Sequence, residues 1–132
     1  MFTEQQLKAA HAKVKTGTDF PAYIQEIKKA GLTFYEFWVK DGHTIYHGSG
    51  GHRIESAPAY DPLKISTSSS VSALKHTIAI HQQGQTDFST FCSQAASAGV
   101  EKWVIDTGPM ICTYYDRNGA SLVTEPIPDT GY

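Results

Sequence analysis

Apolar positions recur along this chain in two rhythms, and the two alternate in blocks. Spacings of three and four place Leu7, Ala10, His11 and Val14 on one helical face, and likewise Phe20, Tyr23, Ile24 and Ile27. The same spacing returns in Val71, Leu74 and Ile78 over residues 68–82, and in Phe88, Phe91, Cys92 and Ala95. Between these blocks the period drops to two, which predicts strands over residues 32–39, 43–47 and 53–57, and later over 100–106, 110–116 and 121–126. Alternation turns Tyr35, Phe37 and Val39 toward a core, matched by Trp103, Ile105 and Thr107, and sends Phe34, Glu36 and Trp38 the other way.

Punctuation fits these blocks. Thr3 with Gln6 makes a capping box, and Asp19 and Asp87 are N-caps whose carboxylates accept from free first-turn amides. Gly31 and Gly99 end the second helix of each block, because glycine takes the left-handed C-terminal conformation cheaply. Asp41-Gly42 and Asn118-Gly119 predict tight hairpins. Ala57 to Ser66, with two prolines, reads as a surface loop, and Pro126 to Tyr132 as a mobile tail.

The order helix, helix, three strands occurs twice. At an offset of 68, Thr18-Asp19-Phe20 recurs as Thr86-Asp87-Phe88, Ala30-Gly31 as Ala98-Gly99, Tyr46 as Tyr114, Gly51 as Gly119 and Pro58 as Pro126. That is eight identities in 41 aligned positions, where average composition gives about two or three. Tyr23 with Phe91, Leu32 with Val100 and Tyr35 with Trp103 keep size and apolarity. The expected fold is therefore α+β: a single domain over residues 1–132, made of two tandem pseudo-repeats, about 3–58 and 68–126, with helices packed on antiparallel meanders.

Composition narrows the function classes. At 132 residues, 40% hydrophobic and 18% charged, the chain is one globular domain. A net charge of -2 is spread without segregation: residues 1–66 hold eight Lys/Arg and seven Asp/Glu, and residues 67–132 hold three and six. This excludes a nucleic-acid groove. No apolar run is long enough for a bilayer span and no leader peptide is visible, so a cytoplasmic protein without a membrane partner is expected. Cys92 and Cys112 are too few for a disulfide framework, and Cys92 falls in an apolar stripe, as a small buried hydrophobe would.

The stretch His81-Gln82-Gln83-Gly84-Gln85-Thr86-Asp87-Phe88, continuing through Phe91-Cys92, Ala98-Gly99-Val100-Glu101-Lys102-Trp103 and Thr113-Tyr114-Tyr115-Asp116, resembles the YdfO-like family. Phe20-Pro21-Ala22-Tyr23 through Lys29-Ala30-Gly31 is similar to that family's N-terminal pattern. These are small bacterial and prophage-borne proteins of unknown function, sometimes labelled phage envelope proteins. The resemblance implies an α+β fold and brings no catalytic residue with it.

Candidate chemistry is sparse. His43 and His47 share a strand face, with His52 past the next turn and Asp41 and Glu36 as acids nearby. A small His-dependent hydrolase, metal-assisted or not, would use this group, but two histidines four apart on a strand stand about 13 Å apart and the spacing matches no zinc signature. No metal and no cofactor are therefore expected. His81 reads as a residue closing a helix end. Phe34, Glu36 and Trp38 would form an aromatic patch suited to a homodimer or protein partner. Tyr46 and Tyr114, equivalent by the repeat, would line a ligand cleft between the two units. A non-enzymatic binding or interaction domain is the leading expectation.

Overall fold

The structure is a computed structural model, and it describes residues 2–14 and 20–127. Helices α1 (Glu4–His11) and α2 (Phe20–Lys29) precede strands β1 (Leu32–Trp38), β2 (Thr44–Gly48) and β3 (Arg53–Glu55). Helices α3 (Val71–Gln82) and α4 (Phe88–Ser97) precede β4 (Lys102–Asp106), β5 (Ile111–Tyr115) and β6 (Ser121–Pro126). The six strands form a single antiparallel sheet in the order β3-β2-β1-β4-β5-β6.

Local chemistry explains where the helices begin. Thr3 and Gln6 close a reciprocal capping box on α1, in which the Gln6 amide donates to the Thr3 hydroxyl at 3.2 Å. Ser70 accepts from Ala73 at α3, and Asp87 accepts from Thr90 at 2.8 Å at α4. Asp19 and its proposed cap lie outside the described residues, as does the end of the tail. Gly31 and Gly99 follow α2 and α4 with φ of +105° and +89°.

The sheet divides its side chains as its alternation predicts. Tyr35, Phe37, Val39, Trp103, Ile105 and Thr107 are all buried under the helices. Phe37 and Trp103 are cross-strand partners, and their rings stack at 4.4 Å. The Thr107 hydroxyl reaches the carbonyls of Leu32 and Thr33, which locks the end of β4 to the start of β1.

Several expectations need correction. Helix α1 ends at His11, so Val14 packs on the core from beyond it. Val71 is exposed; the buried stripe of α3 is Leu74, Thr77, Ile78 and His81, so two polar residues take core positions. The hairpin at Asp41-Gly42 is a wider loop, because Trp38 pairs with His43 (Trp38 N–H to His43 carbonyl, 3.0 Å) and Asp41 accepts from the His43 amide at 3.0 Å. The third strand is short, three residues. The segment from Ala57 to Ser66 is a surface loop as expected, and it is also tied down: the Tyr60 hydroxyl donates to the Val39 carbonyl at 2.6 Å, and Leu63 and Ile65 pack against the core. No helix among the described residues is long and apolar enough to cross a membrane.

Candidate functional site

The two faces of the sheet differ in chemistry. The face away from the helices carries most of the residues singled out from sequence. Phe34 stacks on His47 at 4.1 Å, and Trp38 lies parallel to His43 at 5.7 Å. Glu36 accepts from Lys102 at 3.1 Å and sits 3.4 Å from His47, while the Lys102 ammonium rides 4.8 Å over the Trp38 ring. On this face the aromatics stack on neighbours in the same chain and the central charges are paired, while the buried Trp38 indole N–H has no hydrogen-bond partner among the described residues.

The histidines of this region do not converge. His43 binds Asp41 at 2.6 Å, and His47 approaches a different carboxylate, Glu36. His52 is engaged elsewhere, with Nε2 2.9 Å from the Phe2 carbonyl and its ring edge-on to the Phe2 ring, which it holds in the core. Among the described residues no three His, Cys, Asp or Glu side chains come together as a metal site. Cys92 and Cys112 are both buried; burial pushes the Cys92 thiol up to about 12, so at neutral pH it is no nucleophile.

The opposite face holds the opening. A cavity of about 480 Å³ lies between the helical layer and the covered side of the sheet. That is within the about 300–1,000 Å³ typical of small-molecule sites. Its aromatic wall is Tyr23, Tyr35, Phe37, Tyr46, Phe88, Phe91, Trp103 and Tyr114, contributed by α2, α4, β1, β2, β4 and β5. Tyr46 and Tyr114 are thus the two sequence candidates brought into one site. Burial raises the pKa of Tyr23, Tyr35, Tyr46 and Tyr114, so these phenols are neutral hydrogen-bonding groups at physiological pH.

A polar patch lies on one wall, where the end of α3 meets β6. Gln82 donates its side-chain amide to Glu125 Oε1 at 3.0 Å. Burial pushes the Glu125 carboxyl up, and the Gln82 hydrogen bond partly opposes this. His81 stacks on Phe91 at 4.4 Å and sets Nδ1 3.0 Å from the Thr86 carbonyl. The Thr86 hydroxyl is also 3.0 Å from Nδ1; the carbonyl can only accept and the hydroxyl can accept too, so an Nδ1 hydrogen serves both contacts. Burial lowers the His81 pKa, so the ring is neutral and Nε2 presents a lone pair. Across the cavity, His11 meets Tyr23 and Phe88 edge-on at 5.3 and 5.1 Å, and burial lowers its pKa too.

Sequence reasoning singled out Tyr46 and Tyr114, which both line the cavity, but not the polar patch. His81 does close the end of α3, as its position near the helix terminus implies, and it also lines the cavity. The usable signal was the burial of a histidine on the apolar stripe of α3. Nothing in the sequence pairs Gln82 with Glu125, 43 residues away.

Fold and site together define a small α+β domain with four helices on one side of a six-stranded antiparallel sheet and an aromatic cavity between the layers. The chain belongs to the DUF1398 family, proteins of unknown function, whose pattern matches residues 8–126. It is similar to the uncharacterised protein Rv2012 of Mycobacterium tuberculosis (strain ATCC 25618 / H37Rv), with 27% identity over 97 residues, covering 73% of this chain and 59% of that protein. It is also similar to the uncharacterised protein YcgX of Escherichia coli (strain K12), with 32% identity over 65 residues, 49% of this chain and 48% of the relative. The chain thus spans less than two thirds of the curated relatives it matches.

Proposed function

We propose that this protein is a non-enzymatic binding domain that takes a small, largely apolar molecule into the cavity between its helices and its sheet. One observation carries the reading: the space is walled by aromatic side chains from both halves of the chain, yet keeps polar groups turned toward it. Such a mixture fixes a ligand's orientation while most of its surface is buried. The open face of the sheet, the alternative docking surface, has already paired its charges and stacked its rings within the chain.

The cavity gains meaning if the two halves are a tandem duplication, which we also propose. Support comes from the ladder between β1 and β4, where Tyr35 pairs with Ile105 and Phe37 with Trp103 around a central Glu36–Val104 pair. At the offset of 68, Glu36 and Val104 correspond, so a half-turn about that pair would exchange the two units. Tyr35 and Tyr46 lie tilted at 5.6 Å, and their equivalents Trp103 and Tyr114 lie tilted at 5.8 Å. Gly51 and Gly119 have φ of +80° and +81°. A duplicated unit places equivalent aromatics around the axis, and the cavity is the space they enclose. The narrower likeness to YdfO-like, prophage-borne proteins rests on motif residues alone and adds no chemistry to this reading.

Fluorescence tests the proposal. The chain has two tryptophans, and Trp38→Phe leaves Trp103, a cavity residue, as the sole emitter. Titration with 4-nitrobenzyl alcohol, a neutral aromatic quencher, is expected to quench Trp103 to saturation. Quenching that grows linearly with concentration, as for free tryptophan, counts against an accessible cavity.

A further inference from the structure

We propose that the occupant of the cavity is an organic amine bound as its cation, with an aromatic or fused-ring body among the rings and an ammonium head against His81, Gln82 and Glu125. This rests on the reading that the cavity binds a small molecule, and it adds the ligand's chemical class.

The polar wall offers more acceptors than donors. His81 gives its Nδ1 hydrogen to Thr86, which leaves Nε2 as an acceptor. Gln82 spends one amide hydrogen on Glu125 and keeps one, and its carbonyl oxygen can only accept. Glu125 uses Oε1 for that bond, and Oε2 has no protein donor among the described residues. Three acceptors beside one remaining hydrogen favour a ligand head with several hydrogens to donate. An ammonium has three, whereas an alcohol has one and a carboxylate has none.

Charge selects further in the same direction. Glu125 is the one acidic side chain of the lining, and Lys8 is the one basic side chain that stays charged. Lys8 is paired with Glu4 at 3.2 Å and its side chain is 68% exposed, so it answers to solvent rather than to the cavity. His11 and His81 are held neutral by burial. The faces of Trp103 and the tyrosines attract a cation through their quadrupoles. Burial also keeps the Glu125 carboxyl from ionising freely, and an adjacent ammonium is the group that restores the ionised form. A ligand carboxylate in the same place would meet Glu125 and three acceptors, with one Gln82 hydrogen to set against them.

Calorimetric titration with three near-isosteric probes decides the matter: 1-naphthylmethylamine, 1-naphthylmethanol and 1-naphthoate. The expected order is amine tightest, alcohol weaker by about tenfold, and acid weakest. In Glu125→Gln protein the amine should lose its advantage and bind about as tightly as the alcohol does to the same variant. Equal binding of all three, or a preference for the acid, overturns the amine assignment and leaves the cavity reading standing. Binding of none of the three overturns both. The order in the unmodified protein is itself decisive, so the test does not depend on the variant folding.

Discussion

His81 illustrates how a single buried position joins stability to chemistry. It occupies the apolar stripe of α3, stacked on Phe91 and bonded to Thr86, and desolvation there disfavours its charged form. In the unfolded chain the ring takes a proton near its ordinary value of 6.5, whereas in the fold it does so only at lower pH. Between those values the unfolded state holds more protons. The contribution of a neutral His81 is therefore complete above pH 6.5 and is lost as pH falls through the folded value. Urea unfolding at pH 7.5 and about one unit below 6.5 is expected to show lower stability at the acidic pH, and His81→Asn should flatten that slope. A residual slope belongs to His11, whose pKa is lowered in the same way. An unchanged slope in His81→Asn would mean that this ring does not titrate as its burial requires.

At the scale of elements, the sequence located the pieces well because period and punctuation are local. Thr3, Ser70 and Asp87 sit at helix starts, and the alternation of residues 35–39 and 103–107 survives intact as the buried side of the sheet. What it misjudged depends on neighbours distant in sequence. Val71 has helical spacing but stays exposed, while Thr77 and His81 are buried. The widened Asp41-Gly42 turn also packs against Tyr60: a Cβ on Gly42 would stand 2.7 Å from the Tyr60 ring. The glycines after helices and in turns divide on the same ground. Gly99 and Gly119 both have positive φ, but a Cβ at Gly99 would meet the Ser69 Cα at 2.7 Å, whereas at Gly119 nothing lies within 4 Å. Gly119→Ala is expected to cost about 1–2 kcal/mol for the left-handed conformation alone. Gly99→Ala should cost more, because backbone must shift. Denaturant midpoints of the two variants check this, and equal losses would contradict the close packing of the α3 start on the α4 end.

For the whole molecule, the informative property is the contrast between the sides of one sheet. On the open side, central charges are paired and rings stacked inside the chain; on the covered side, eight aromatic rings line about 480 Å³ of space whose wall also includes His81, Gln82 and Glu125. The sequence named residues on both sides, and its strongest local signals, Phe34, Trp38 and the histidines near them, lie on the side whose rings already stack within the chain. The cavity was legible only as a pair of equivalent tyrosines, because a void is a property of the packing of all four helices on the sheet rather than of any motif. Amide chemical shifts of isotopically labelled protein, followed during titration with 1-naphthylmethylamine, test this account most directly. Saturable shifts at Tyr23, Tyr46, His81, Trp103, Tyr114 and Glu125, with Phe34, Trp38 and His47 unmoved, are the predicted result. Shifts confined to Phe34, Trp38 and His47 would contradict it.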